Sequence, residues 1–554
     1  MTGPVRPGFG QDAEVLRNIV RGYADGIGQL VDGGGTLEKP AHDPQTAFLA
    51  ERAFMAAMQS NAFTIKTLAR IQVVLSAEFF LGGDLQKKLI SNYAILSVVL
   101  SFDFFYSGGV FHRRILFHVL ALVPSWLGAE VFAVPTPIET RAVAADRVAS
   151  LPDYAKQLPV NWLEAGVDLR NRFELRDQDY RTADVISDEA FFTRYLAYVG
   201  VREVLDPFRL SLELEDSRRF FSERPENPNE INRGEVLQAY GELYFDEWRS
   251  EQPVSVRAGR MTFDAVDRRL VTRNRYRNTI NAYDGLRVRL GEEESPFELD
   301  AFSLRPVARD VSRLDRSSNE SWLHAVTGYF REWSPVLIVE PYWILSDQTI
   351  VPERHIHTVG VHVFGRLPDS GWDYDGSVAA QGGRSAGLRH QAWAGHAEMG
   401  YTWDHPWKPR LAGWMNFASG DADPDDERTG RFDSLYGATF SFYGYTGYFS
   451  WQNLIDPSIR FSFQPTDALR GEIIHRAYWL ASQRDAWVRT GRVDPSGGSG
   501  SYVGQEIDLR IAYRVNNYLD LEAVSAHFFP GGFAEETGSG PDSHFGYLQA
   551  SIRF

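Results

Sequence analysis

Arginine at alternate positions is the chemistry this chain repeats most plainly. Residues 254–290 read VSVRAGRMTFDAVDRRLVTRNRYRNTINAYDGLRVRL, two short apolar runs around an arginine-loaded connection. Val254, Val256 and Ala258 oppose Ser255, Arg257 and Gly259, and Leu286, Val288 and Leu290 oppose Gly285, Arg287 and Arg289. A period of two puts the apolar set on one face of a strand and the polar set on the other. The guanidinium is a planar fork that binds carboxylates bidentately. An arginine-rich wet face therefore suits a pore lining that holds an anion loosely. The competing account is an ordinary solvated sheet edge, where charges of both signs mix.

The same chemistry recurs. In WLEAGVDLRNRFELR, from Trp162, one face carries Leu163, Ala165, Val167, Leu169, Phe173 and Leu175, and the other carries Glu164, Asp168, Arg170, Arg172, Glu174 and Arg176. Arg194 and Arg202 share a face of the next run, and the run at 503–515 carries Asp508, Arg510 and Arg514. The candidate lumen cations are thus Arg170, Arg172, Arg194, Arg202, Arg257, Arg287, Arg289, Arg510 and Arg514. Acidic neighbours such as Asp168 and Asp508 keep an anion from being trapped. Any one of these arginines is accounted for by a structural ion-pair ladder. As a set they lean towards ligand handling, because Lys156 and Lys408 are the only lysines after residue 133.

Strands must position these residues. Beyond 162–176 and 191–203, alternating runs appear at 208–215, 236–245, 254–259, 285–290, 297–305, 322–331, 336–345 and 358–367. They continue at 390–403, 410–418, 436–451, 458–464, 469–481, 503–515, 519–528 and 545–554. At about 22 residues per strand and turn, residues 161–554 hold roughly 18 strands, the pattern of a single antiparallel transmembrane β-barrel. The chain finishes GYLQASIRF, with Gly546, Leu548, Ala550, Ile552 and Phe554 on one face, like the terminal strand by which outer-membrane barrels are recognised.

Composition agrees. Aromatic residues make up 13% and there are 48 glycines, the mix of girdles and turns a barrel needs. A net charge of −16 argues against nucleic acid as a partner. With no cysteine, thiolate metal sites and cysteine nucleophiles are excluded.

Residues 1–109 follow another pattern. Residues 12–31 have the spacing of an amphipathic helix, broken by Gly33, Gly34 and Gly35. The run LISNYAILSVVLSFDFF (89–105) suits a short membrane helix or a buried hairpin. We expect a largely helical, atypical extension. In 110–133, Arg113 and Arg114 precede an apolar stretch, and Val131 and Ala133 supply a signal-peptidase site. That reading has the mature chain beginning at Val134 and makes 1–109 an artefact of gene calling. The alternative is a transmembrane helix behind a real N-terminal domain. Residues 134–160 are a lead-in.

Several blocks, over residues 161–554, resemble the alginate-export family of bacterial outer-membrane channels. They are GRMTFDAVDRRLVTRNRYRNTINAYDGLRV (259–288), SFQPTDALRGEIIHRAYWLAS (462–482) with RDAW (484–487), YVGQEIDLRIAYRV (502–515), HFFPGGF (527–533) and the GDADPDD loop from Gly420. The resemblance implies an 18-stranded barrel with an arginine-lined lumen for an anionic polyuronate. It places Arg170 and Arg194 on lumen arginines of the first two strands, Arg257 and Arg260 in a VRAGR block, and Asn278 where the alginate exporter has an acid. Thr262, Leu237 and Val524 stand where that exporter has basic residues, which implies a wider or less selective pore.

The expected function is passive export of an alginate-like polysaccharide across the outer membrane. The alternative is a porin taking up small anions or acidic oligosaccharides, and a third reading is a barrel enzyme with its chemistry at the rim. Expected partners are the anionic polysaccharide, outer-membrane lipid and periplasmic polysaccharide-secretion proteins, with no cofactor. GxSxG, HExxH and phosphate-loop motifs are missing, and nothing selects a glycosidase pair. Asp421, Asp423 and Asp425 offer oxygen ligands for Ca²⁺ without a calcium-loop spacing.

Overall fold

The computed structural model describes residues 154–554 apart from 159, 161, 183–186, 250–251, 293–294, 332–333, 335 and 539, with the backbone of 67–76, 93–106 and 112–124 before them. Eighteen long antiparallel strands close into one barrel. They are β1 Leu163–Asp177, β2 Asp188–Val201, β3 Phe208–Phe220, β4 Asn232–Arg249, β5 Gln252–Met261 and β6 Tyr283–Leu290. Next come β7 Phe297–Ala308, β8 Ser321–Phe330, β9 Ile338–Gln348, β10 Arg354–Arg366, β11 Trp372–Ser385 and β12 Leu388–Thr402. The last are β13 Arg410–Ala418, β14 Leu454–Thr466, β15 Leu469–Trp479, β16 Tyr502–Arg514, β17 Leu519–Pro530 and β18 Ser543–Arg553.

β18 returns to β1, pairing Ser551 with Arg170 and Arg553 with Asp168. Beyond it the Phe554 amide donates to the Val167 carbonyl at 3.1 Å. Closure leaves no strand edge in the lipid, where an unpaired backbone group has no water to turn to. The faces follow the alternation. In β6, Leu286 and Val288 are 46% and 38% exposed, whereas Arg287 and Arg289 are 3% and 5% exposed. An arginine facing lipid at mid-bilayer costs about 2–4 kcal/mol, which fixes the register. One barrel end has tight turns, such as 467–468 and 515–518, and the other has long connections, including 262–282, 419–453 and 480–501. In outer-membrane barrels the short turns face the periplasm.

Two expectations are corrected. Residues 436–451, expected as a strand, leave the wall and fold inward, because glycines break the run: Gly444 and Gly447 have φ of +108° and +76°. Conversely, β11 was not expected. Its inward Asp373, Asp375 and Ser377 do alternate, but Gly376, Ala380 and Gly382 thin the apolar face, and Ala379 and Gly383 interrupt the polar one.

Met1–Gly128 forms a separate unit. Its described residues are the strands Thr67–Ser76, Tyr93–Tyr106 and His112–Pro124, paired antiparallel in that order. Much of the 89–105 run, expected in a largely helical extension, is therefore strand, in keeping with its valines and phenylalanines. The helix expected over 12–31 lies outside the described residues.

Candidate functional site

Two loops fill much of the lumen. Between β5 and β6, residues 262–282 turn inward, seated on arginines of β1 and β2. Arg170 donates to the carbonyls of Arg275 (2.9 Å), Tyr276 (3.1 Å) and Arg277 (3.0 Å) and to Asn278 Oδ1 (3.0 Å). Arg194 donates to the Arg275 carbonyl at 2.7 Å. Asn278 in turn donates to the carbonyls of Thr193 (3.1 Å), Arg218 (3.1 Å) and Glu230 (2.8 Å). Carbonyls removed from water need donors, and a fork of five N–H groups serves several at once. Asn278 Oδ1 thus accepts from Arg170 as an acid there would, while its Nδ2 serves carbonyls that a carboxylate could not.

The second loop, 419–453, packs aromatic side chains inward. Phe449 stacks on Tyr478 with centroids 3.7 Å apart, and Tyr443 and Trp451 are fully buried. Thr446 donates its amide (3.2 Å) and hydroxyl (2.5 Å) to Glu506, and Arg476 donates to the carbonyls of Ser441 (2.9 Å) and Phe442 (3.0 Å). The two loops touch. The Tyr436 amide donates to the Leu270 carbonyl at 2.9 Å, and Tyr276 stacks on Phe440 at 4.7 Å.

What they leave open is basic. A cavity of about 390 Å³ runs from Lys408 and Gln464, at the short-turn end, to Phe442 and Tyr445 of the second loop. Eight cations line it: Arg268, Arg269, Lys408, Arg410, Arg460, Arg470, Arg476 and Arg510. Among the described residues its acidic lining is Glu472 and Glu522. The carboxylates that hold several of these cations stand outside the lining, as Asp373 does for Arg410 (2.5 Å) and Asp508 for Arg476 (3.1 Å). A second cavity, of about 190 Å³, is lined by Asp168, Arg170, Arg172, Arg194, Arg273, Arg275 and Arg553 among others. Tyr276 and Glu522 border both cavities. Beside them Arg172 lies between two rings, 4.5 Å from Tyr276 and 4.4 Å from Tyr547.

The structure sorts the expected residues into groups. Arg172 and Asp168 line the smaller cavity and Arg510 the larger, where Arg510 meets Glu522 at 2.9 Å. Arg170 and Arg194 reach the smaller cavity but are committed to the first loop. Arg202 and Arg257 clasp Glu242 from two sides, at 2.9 and 2.7 Å. Arg287 takes Asp300 at 2.5 Å, Arg289 lies 3.9 Å from Glu298, and Asp508 holds Arg476. Arg202, Arg257, Arg287 and Arg289 thus form ladders away from either cavity, whereas Asp508 backs a cation of the larger one. Arg514 pairs with Asp520 at 3.4 Å beside the short turn. Arg260 has the outward parity of Val256 and Ala258 and meets Asp284 at 2.9 Å. Leu237 and Val524 are buried apolar residues, and Thr262 donates its amide to Gln238.

Sequence reasoning passed over Arg410, Arg460, Arg470 and Arg476, although each stands at a wet position of its strand. Their burial pattern, with Asp456, Ser458 and Arg460 inward in β14, is the alternation already read elsewhere. Arg268 and Arg269 sit in a loop and carry no such signal. In the acidic loop Asp423 and Asp425 pair with Arg484 at 3.3 and 3.2 Å. Burial pushes the Asp421 carboxyl up, and among the described residues no group of three or more side chains is set to hold a metal.

A closed wall of eighteen strands around loop-filled basic cavities defines an outer-membrane channel. Residues 161–546 match the alginate export family, and the chain belongs to that family. No curated protein matches it. Among solved structures, OccD3 (OpdP) of Pseudomonas aeruginosa superposes with a TM-score of 0.50 at 12% identity, covering 72% of this chain and 93% of that one. OccAB2 of Acinetobacter baumannii gives 0.50 at 12% identity, covering 71% and 98%. The outer membrane protein OprD of P. aeruginosa gives 0.49 at 10%, covering 73% and 97%. The closed barrel and the family together make the protein a barrel of the bacterial outer membrane.

Proposed function

We propose that this barrel is a passive channel through which an acidic polysaccharide leaves the cell. The observation that carries the reading is the larger cavity, with eight cations against two acids, beginning at the short-turn end. A polyuronate arriving from the periplasm meets these cations first. Each solvated contact is worth only about 1 kcal/mol, so carboxylates pass from fork to fork without being held. Membership of the alginate export family supports a polyuronate.

A second reading, uptake of small organic anions, draws support from the Tyr276–Phe440 stack, which joins the two loops across the lumen. Planar-bilayer recordings separate the readings. Export of a polymer predicts that oligouronates added at the short-turn side interrupt the current for times that lengthen with chain length. Interruptions independent of length, with free flux of the monomer into liposomes, would favour the second reading. Cation preference in the reversal potential would defeat both.

A further inference from the structure

The outer wall of β10–β12 carries a cluster of charge that the channel does not use. In register, His355 of β10 stands opposite Arg384 of β11, and Arg384 stands opposite Arg389 of β12. All three side chains are exposed. They share the outward parity of Val359, Val378 and Trp393, each 58% exposed nearer the middle of the wall. Asp347 of β9 reaches His355 at 3.3 Å. Among the described residues, neither the Arg384 nor the Arg389 guanidinium has a hydrogen bond or ion pair.

Like charges directly opposite on neighbouring strands destabilise their pair, and here the strands cannot splay. Arg384 and Arg389 flank the tight turn at Ala386 and Gly387, whose φ values of +52° and +81° suit a two-residue hairpin. The backbone carbonyls of Glu353 and Glu427 brace that turn through the Ala386 and Arg389 amides, at 2.7 and 3.1 Å. The short strand Arg428–Thr429 sets Arg428 beside Arg389 and adds a cation. The contrast lies across the barrel. On the outward face of β3, Arg218 has its own acid, Asp216, at 2.8 Å.

We propose that Arg384, Arg389 and His355 bind the phosphate group of a phosphorylated glycolipid in the outer leaflet. The level of the cluster selects that source. Arg389 lies four residues along β12 from Trp393, and at about 3.3 Å per residue and about 40° of tilt that sets it about 10 Å further along the barrel axis than Trp393. It lies at the long-loop end, where the outer leaflet presents its headgroups. A phosphate oxygen pair accepts from two forks at once, and the bridging anion turns the Arg384–Arg389 repulsion into attraction.

The test uses the full chain, purified in detergent, with native mass spectrometry of added lipid. A bis-phosphorylated outer-leaflet glycolipid should remain bound. The Arg384→Ala/Arg389→Ala variant should lose about ten-fold in affinity, roughly one charge-assisted contact. Arg218→Ala should bind as the parent does, and the Lys double variant should keep part of the binding. Heat-dependent gel mobility reports the folded barrel. If the alanine variant does not fold, dephosphorylated glycolipid on the parent chain decides: its binding should fall by the same factor. Equal retention by variant and parent, or of phosphorylated and dephosphorylated lipid, would overturn the site. Displacement of the lipid by equimolar inorganic phosphate would overturn its assignment to lipid.

Discussion

Replacing Arg170 with alanine removes its hydrogen bonds to three loop carbonyls and to Asn278 Oδ1, leaving Arg194 as the remaining donor to the Arg275 carbonyl. Hydrogen bonds to a charged group are worth about 1.5–3 kcal/mol each, so the first inner loop loses much of its anchorage. Single-channel recordings of Arg170→Ala should show larger, noisier conductance with little change in the ratio of anion to cation permeability. A quiet trace with reduced anion preference would return Arg170 to the set that meets the permeant ion. Glu522 makes the opposite case. It borders both cavities and holds Arg510 at 2.9 Å. Glu522→Gln keeps the shape and removes one of few lining acids, so anion preference should rise about two- to five-fold, read from reversal potentials. An unchanged ratio would place Glu522 off the ion path. Alternation in the sequence said which arginines point inward. It was silent on which would be captured by backbone carbonyls, because the loop that captures them comes a hundred residues later.

At the scale of elements, the strand total was legible while two assignments cancelled. The expected strand at 436–451 is a lumen loop, and β11 replaces it in the wall. Aromatic residues at nearly every second position read as strand whether they face lipid or fill a pore. Only the glycines of 436–451 marked the difference. Gly444 offers the direct test, since its φ is +108° and an added Cβ would stand 2.6 Å from the Glu506 carboxylate and the Tyr478 hydroxyl. Gly444→Ala should release the second loop, lowering the melting temperature by several degrees and making residues near Phe449 open to protease in folded barrels. Unaltered melting and digestion would show that the loop tolerates a shift there. The faces of β6 can be read with cysteines, because the chain has none of its own. A cysteine at 288 should react with a lipid-phase reagent and leave conductance alone, while one at 287 should stay silent to it. The reverse pattern would invert every face of that strand.

For the whole molecule, the barrel was legible because the bilayer imposes one rule on every strand: apolar out, polar in. No comparable rule governs what fills the interior or what precedes it. Hence the valine- and phenylalanine-rich run at 89–105 was open to a short membrane helix or a buried hairpin, and the structure describes the strand Tyr93–Tyr106, paired antiparallel with His112–Pro124. Cleavage after Ala133 remains our expectation for material recovered from outer membranes. Amino-terminal sequencing should return Val134, and peptides from residues 1–109 in that material would refute it.

The seam between β18 and β1 also has a consequence for assembly. β1 is the first long strand of the barrel to be synthesised, and apart from Lys156–Gln157, which pair with Ala165 and Glu164, its second side waits for the last residues of the chain. It also carries Arg170, the main grip on the first inner loop. Ring closure and obstruction of the lumen therefore converge on one strand. A barrel truncated within β18 would lose its wall and its internal stopper at the same place, and the cell would meet a leak rather than a merely unstable channel.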